Sequence, residues 1–88
     1  MKWKITYSKE AKKFIDNQGI QFDIKDTVNK LLKKIKGEDI SIDLKKLVGD
    51  WKGYFGIRIG KIRLIFSISK EDREIYVGKV DFRGDIYK

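Results

Sequence analysis

The sequence contains no cysteine, no histidine and no proline. The absence of cysteine excludes disulfides, thiolate metal sites and cysteine nucleophiles. Without histidine, the chain also lacks the commonest metal ligand and the side chain best suited to proton transfer near neutral pH. No apolar run approaches the roughly 20 residues of a membrane span, and the start lacks the apolar stretch of a signal peptide. We therefore expect a cytoplasmic protein that does not associate with membranes.

Length and charge narrow the class further. The 88 residues are enough for one domain with a modest core, so we predict a single domain over residues 1–88. Lys and Arg number 21 against 13 Asp and Glu, which gives a net charge of +8. Such an excess is typical of proteins that meet nucleic acid or another polyanion. A surface that is charged only for solubility is the alternative.

Hydrophobic periodicity in the first half predicts a strand and two helices. Residues 2–7 alternate polar and apolar, as a half-buried strand does. Ser8 is placed to cap a helix that ends near Gly19. A second apolar stripe begins at Ile24, keeps the spacing of one buried helix face, and stops at Gly37. The two helices are expected to form a hairpin.

The second half changes to a period of two. Residues 38–49 are irregular and predict a connection across the core. Three segments, 54–59, 61–69 and 74–82, then predict an antiparallel meander. The expected fold class is α+β: an N-terminal strand, a two-helix hairpin and a three-strand antiparallel meander, with the helices packed on one face of the sheet.

The first turn of the meander brings two arginines together. Gly60 and Lys61 predict a two-residue hairpin turn, since a leading glycine suits type II′. That turn sets Arg58 directly opposite Arg63. Like charges opposite each other on neighbouring strands are destabilising, so this pair predicts a site for an anion or an acid.

The second turn is ambiguous by one residue, and a slip of one moves a whole strand to the other face. A three-residue loop at 71–73 places Arg63 opposite Asp81 and Arg83 near Lys61. Arg58, Arg63 and Arg83 then converge on the face away from the core. The alternative is an exposed, charged sheet face with a surface ion pair worth about 0–1 kcal/mol. The same loop aligns these apolar residues on the core side: Tyr76, Val80 and Phe82 with Ile62, Leu64, Phe66 and Ile68.

Arginine in such a cluster is suited to phosphate. Its guanidinium stays charged and binds phosphate oxygens bidentately. Three of them would also stabilise the negative charge that builds as a phosphodiester is attacked. Tyr87 offers a hydroxyl and an aromatic face on which a base can stack, with a ring that anchors the core as the alternative.

Two segments carry a family resemblance. The segment YFGIRIGKIRLIF (54–66) resembles the RelE/ParE superfamily of prokaryotic toxins, which has an aromatic and basic strand, a glycine turn, then arginine and a β-branched or aromatic run. The ending FRGDIY (82–87) is similar to the closing signature of that superfamily. The predicted order of elements also matches, so the resemblance covers almost the whole chain.

Resemblance to the RelE branch implies the toxin of a type II toxin–antitoxin system. It implies a ribosome-dependent endoribonuclease, independent of metal and of any cofactor, that cleaves mRNA in the ribosomal A site. The ribose 2′-OH would attack the adjacent phosphate. Arg58 and Arg63 would bind the scissile phosphate, Arg83 would support the transition state or the leaving 5′-oxygen, and Tyr87 would stack on or orient the substrate.

The chain departs from this pattern at two positions. Gly56 stands where many active relatives have a further basic residue, and Phe82 replaces the histidine common before the final arginine. The general base is therefore unidentified, and arginine does not deprotonate in proteins. A lysine crowded by the arginines would lose its proton more readily. The candidates are Lys52, Lys61 and Lys79.

The second helix has a basic surface of its own beside its apolar stripe. For a toxin that enters the ribosome, the resemblance implies that this surface docks on rRNA phosphates, whereas a solvated helix face is the alternative. The same charge would attract a cognate acidic antitoxin. The lysines concerned are Lys25, Lys30, Lys33, Lys34 and Lys36.

Two other functions fit the same fold. One is a ParE-like inhibitor that binds DNA gyrase and has no nuclease activity, which the missing basic residue at position 56 favours. The other is a catalytically inactive module that binds only an antitoxin or RNA. Ribosome-dependent cleavage of mRNA separates the endoribonuclease from both.

Overall fold

The computed structural model describes residues 2–39, 44–59 and 61–82. These residues form a five-stranded sheet with strand order β1-β5-β4-β3-β2. β1 runs parallel to β5, and the other neighbours are antiparallel. In chain order the elements are β1 (Lys4–Tyr7), α1 (Lys9–Gln18), α2 (Gln21–Ile35), β2 (Leu44–Lys46), a 3-10 helix (Gly49–Trp51), β3 (Phe55–Ile59), β4 (Ile62–Ser69) and β5 (Glu74–Phe82).

The α+β class and the three-strand meander predicted from the sequence are confirmed. The sheet has one strand more than predicted, because β2 forms within the segment expected to be an irregular connection. Three residues are too few for a periodic pattern to be visible, and β2 is defined by its pairing with β3. No helix in the three described ranges is long and apolar enough to cross a bilayer.

Local signals set the ends of α1. The Ser8 hydroxyl caps the helix by accepting a hydrogen bond from the Ala11 N–H at 3.0 Å. Gly19 ends it in the left-handed conformation with φ of 63°, and its N–H donates to the carbonyls of Ile15 and Asp16. Both ends therefore fall where the sequence predicted them.

The core lies between the helices and one face of the sheet, as predicted. Phe82 belongs to it, and its ring meets Phe14 of α1 edge to face at a centroid distance of 5.2 Å. Phe82, which stands where the resemblance leads one to expect a histidine, therefore serves packing. The buried residues of this core are Ala11, Ile15, Ile24, Val28, Leu31, Ile57, Ile62, Leu64, Phe66, Ile75, Val77 and Val80.

A β-bulge in β5 corrects the predicted register. Near the chain end the prediction is right, since Arg63 pairs with Asp81 and Ile65 with Lys79. The next pair is Phe66 with Val77, so Gly78 is the extra residue. The loop at 70–73 has four residues rather than three, and the bulge absorbs the difference.

The placement of Tyr76 on the core side was therefore wrong. Ile75 and Val77 are fully buried in the core, and Tyr76 lies on the opposite face. Because side chains alternate along a strand, one extra residue exchanges the faces of everything before it.

Candidate nucleic-acid interface

Three charged residues form one row across three strands on the face away from the helices. Arg58 of β3 lies directly opposite Arg63 of β4, which lies directly opposite Asp81 of β5. Residues directly opposite each other in antiparallel strands share a face and have Cβ atoms about 5 Å apart. The predicted arginine pair is confirmed, and we call these three residues the arginine row.

Arg63 is buried although it lies on the face away from the core. Only 7% of Arg63 is exposed, and its Nε and Nη1 atoms are enclosed by protein. Arg58 is exposed. The alternative of an open, charged sheet face therefore does not hold at Arg63. Taking a guanidinium out of water beside a second cation is costly for folding even with Asp81 directly opposite, which points to a purpose besides stability.

Aromatic residues cover part of the same face. Trp51 and Tyr54 meet edge to face at a centroid distance of 5.2 Å. Both rings, together with Tyr76, close over the bulge at Gly78, where a Cβ would lie 3.1 Å from Tyr54 and 3.6 Å from each of the other two. Because Gly78 has no side chain, the three rings can pack against the bulge.

The bulge is also held from the other side by the start of α1. Ser8 donates its backbone N–H to the Val77 carbonyl at 2.9 Å and its hydroxyl to the Gly78 carbonyl at 2.8 Å. The cap of α1 and the bulge are therefore one structure. It decides that Lys79 and Asp81 share a face with Arg58 and Arg63.

A second row runs beside the arginine row. Lys45 of β2 pairs with Gly56 of β3, Gly56 pairs with Ile65 of β4, and Ile65 pairs with Lys79 of β5. Lys45 is exposed and Lys79 is partly buried, whereas Gly56 and Ile65 are buried. Lys45 was not among the predicted site residues, because nothing in the sequence revealed the strand that carries it.

The predicted site residues fall into two groups. Lys79 lies diagonally across from Arg63, within reach of a long side chain. Lys61 is exposed in the turn before β4, and Lys52 is exposed just after the 3-10 helix. Arg83 and Tyr87, like Gly60 of the predicted turn, lie outside the described residues, so their roles stay predictions.

The lysines of α2 form a separate basic surface, which we call the lysine face. Each of the five is exposed. Lys30 forms an ion pair with Asp26 one turn earlier, at 3.3 Å. The set comprises Lys25, Lys30, Lys33, Lys34 and Lys36.

Titratable groups elsewhere add little to either surface. Partial burial raises the pKa of the Tyr7 phenol, which lies at the end of β1. In the part of the chain that the structure describes, no three acidic side chains converge in a way that could hold a metal ion.

By sequence, the chain matches no family model and no curated protein. By structure, it is similar to YoeB in a heterotetrameric YoeB–YefM toxin–antitoxin complex from Staphylococcus aureus, with a TM-score of 0.67, 24% identity and coverage of 94% of this chain and 99% of that one. The fold is that of the RelE/YoeB-like toxins. This confirms the predicted resemblance at the level of the fold.

Two further RelE/YoeB-like structures agree. The archaeal RelE–RelB complex from Pyrococcus horikoshii gives a TM-score of 0.62 at 22% identity, covering 97% of this chain and 99% of that one. YafQ from E. coli gives 0.66 at 14% identity, covering 99% and 100%. The likeness spans nearly the whole of each chain.

Proposed function

We propose that this chain is the toxin of a type II toxin–antitoxin system and a ribosome-dependent, metal-independent endoribonuclease that cleaves mRNA in the A site. The observation that carries the proposal is Arg63, buried and directly opposite the exposed Arg58. Two cations set against each other at a cost in stability suit an anionic substrate. The RelE/YoeB-like fold supports the same conclusion.

In this proposal the arginines act on the phosphate. Arg58, being exposed, binds the incoming phosphodiester, and Arg63 is preorganised to neutralise the charge that builds on its oxygens. The ribose 2′-oxygen, losing its proton to a base, forms a bond to phosphorus while the bond to the 5′-oxygen breaks. The 5′-oxygen takes up a proton from water, which leaves a 2′,3′-cyclic phosphate and a 5′-hydroxyl. Arg83 supports the leaving oxygen, and Tyr87 stacks on or orients the substrate.

A base must take the proton of the 2′-OH. Of the three candidate lysines, Lys79 is the one that the register brings diagonally beside Arg63 while partly burying it. We therefore assign the base to Lys79 by its position, whereas Lys52 and Lys61 are exposed outside the two strands that carry Arg63 and Asp81.

The partners follow from charge. The lysine face docks on rRNA phosphates, and the net charge of +8 favours an acidic antitoxin. YoeB and RelE, which this chain resembles in fold, are seen with YefM and RelB. The toxin acts in the cytoplasm, where it meets ribosomes carrying mRNA.

The deciding experiment adds purified protein to ribosomes programmed with a defined mRNA and maps the new 5′ ends by primer extension. We expect cleavage at the A-site codon that is absent without ribosomes and lost in Arg63→Ala. Arg73→Gln is the matched control, because Arg73 is exposed at the far turn of the same hairpin. Intact mRNA with the wild-type protein would overturn the proposal.

One observation favours a second candidate. Gly56 leaves β3 without the further basic residue that many active relatives have beside the arginine row, as expected of a ParE-like gyrase inhibitor or an inactive binding module. Gyrase-dependent DNA breaks in cells that express the protein, together with intact mRNA, would support the inhibitor. Intact mRNA without DNA breaks would leave a module that binds an antitoxin or RNA.

A further inference from the structure

We propose that Lys45 of β2 is a substrate-binding residue that supplies the positive charge missing at Gly56 and contacts an RNA phosphate beside the arginine pair. This inference rests on the proposed function for its substrate. It assigns a role to the shortest strand of the sheet and gives the RNA backbone a path across the β2 edge.

The register puts Lys45 on the correct face. Lys45 lies directly opposite Gly56, two residues before Arg58 on the same side of β3. Its diagonal distance to Arg58 is therefore about 7–8 Å between Cβ atoms, which a long side chain can span. Its neighbour Lys46 pairs with Phe55 and so points to the opposite face.

The register places Lys45 beside the position at which β3 lacks a basic side chain. Gly56 lies between Lys45 and the buried Ile65 in one row across three strands. A cation on β2 therefore stands next to the glycine, on the same face as the arginine pair.

The charge pattern indicates an extended polyanion. The two adjacent rows contain four basic residues, Lys45, Arg58, Arg63 and Lys79. Among the described residues of these rows, the acidic one is Asp81. The rows are separated by two residues along a strand, about 6.8 Å. A second phosphate of the same RNA strand would meet Lys45 while the arginines hold the scissile one.

Exposure indicates which task Lys45 performs. It is exposed at the sheet edge, in contrast to the partly buried Lys79. A hydrated ammonium on a flexible stem binds phosphate as a point charge. Lys45 is therefore assigned to binding, and Arg should replace it whereas a neutral residue should not.

The test compares Lys45→Gln, Lys45→Arg and the control Lys46→Gln, which removes the same charge from the other face of the same strand. In single-turnover cleavage on programmed ribosomes, we expect Lys45→Gln to be about tenfold slower, equivalent to about 1.4 kcal/mol. Lys45→Arg and Lys46→Gln should stay within about twofold of wild type. If Lys45→Arg fails as badly as Lys45→Gln, a role as a charge is wrong.

A second measurement does not need cleavage. The affinity for a short single-stranded RNA is followed against salt concentration, and the loss of one phosphate contact lowers the slope by about 0.7. If the salt dependence of RNA binding is lower in Lys45→Gln but not in Lys46→Gln, and the wild type cleaves no mRNA, the endoribonuclease proposal is wrong and the Lys45 site stands. Equal behaviour of Lys45→Gln and Lys46→Gln in both assays would overturn the Lys45 proposal.

Discussion

The arginine row and the lysine face are both basic but differ in how far their charges are exposed to solvent. Arg63 is buried opposite a second arginine, whereas the five lysines of α2 are all exposed. On the helix, Lys30 has an acidic neighbour at i−4, the spacing that favours an ion pair. The facing arginines of the arginine row disfavour folding, whereas the charges of the lysine face are solvated.

This difference shows which basic residues point to function. An exposed lysine costs the fold little, so its presence alone does not distinguish rRNA docking from a solvated surface. A buried guanidinium beside another cation carries a desolvation cost and a repulsion that the neighbouring Asp81 has to offset, so it is weak support for the fold. The arginine row is thus the stronger indicator of an anionic substrate, and each prediction below tests one side of the comparison.

The largest effect is expected when arginine is replaced by lysine in the arginine row, compared with the reverse replacement on the lysine face. Arg63→Lys keeps the charge and loses the planar, delocalised guanidinium that is held in place beside Arg58. We expect cleavage on programmed ribosomes to fall about 100-fold, the scale of removing one preorganised donor. Lys33→Arg, the reverse exchange on the lysine face, should stay within about twofold. Comparable activity of both variants would remove the distinction between the two surfaces.

The next effect is on stability. Gly78→Ala puts a Cβ 3.1 Å from the Tyr54 ring at the bulge that aligns Asp81 with the arginines. We expect a loss of about 1–2 kcal/mol, and therefore a Tm lower by roughly 5–15 °C. Thermal unfolding followed by circular dichroism measures it.

A double-mutant cycle isolates the cause of that loss. Tyr54→Leu removes the ring atom that the new Cβ would meet, so Gly78→Ala should cost less in that background than alone. Strict additivity of the two changes would show that the ring contact is not the reason. In Gly78→Ala, ribosome binding through the lysine face should be reduced less than mRNA cleavage.

The smallest effect is expected on the lysine face. The double variant Lys33→Gln, Lys36→Gln removes two exposed charges far from the arginine row. Ribosome binding should weaken several-fold at low salt and hardly at all at high salt, while cleavage at saturating protein is unchanged. Sedimentation with ribosomes over a salt series measures it. Binding that is unaffected at every salt concentration would favour a solvated face.

The sequence predicted the arginine pair because a glycine turn and a period of two fix the register of one hairpin. It did not predict the burial of Arg63, because the period of two gives the face on which a side chain lies and not what covers it. The bulge at Gly78 was not predicted, because the four-residue loop shifts the register by one residue and the bulge shifts it back. Lys45 was not predicted, because its three-residue strand has no periodic signal.

The bond between Ser8 and Gly78 joins residues 70 positions apart in the chain. During synthesis at about 5–20 residues per second, the start of α1 therefore exists for roughly 4–14 seconds before its partner in β5 has been made. The same strand supplies Asp81 to the arginine row, and β1 has no neighbour in the sheet until β5 is present. A nascent chain that does not yet contain β5 therefore cannot assemble the arginine row.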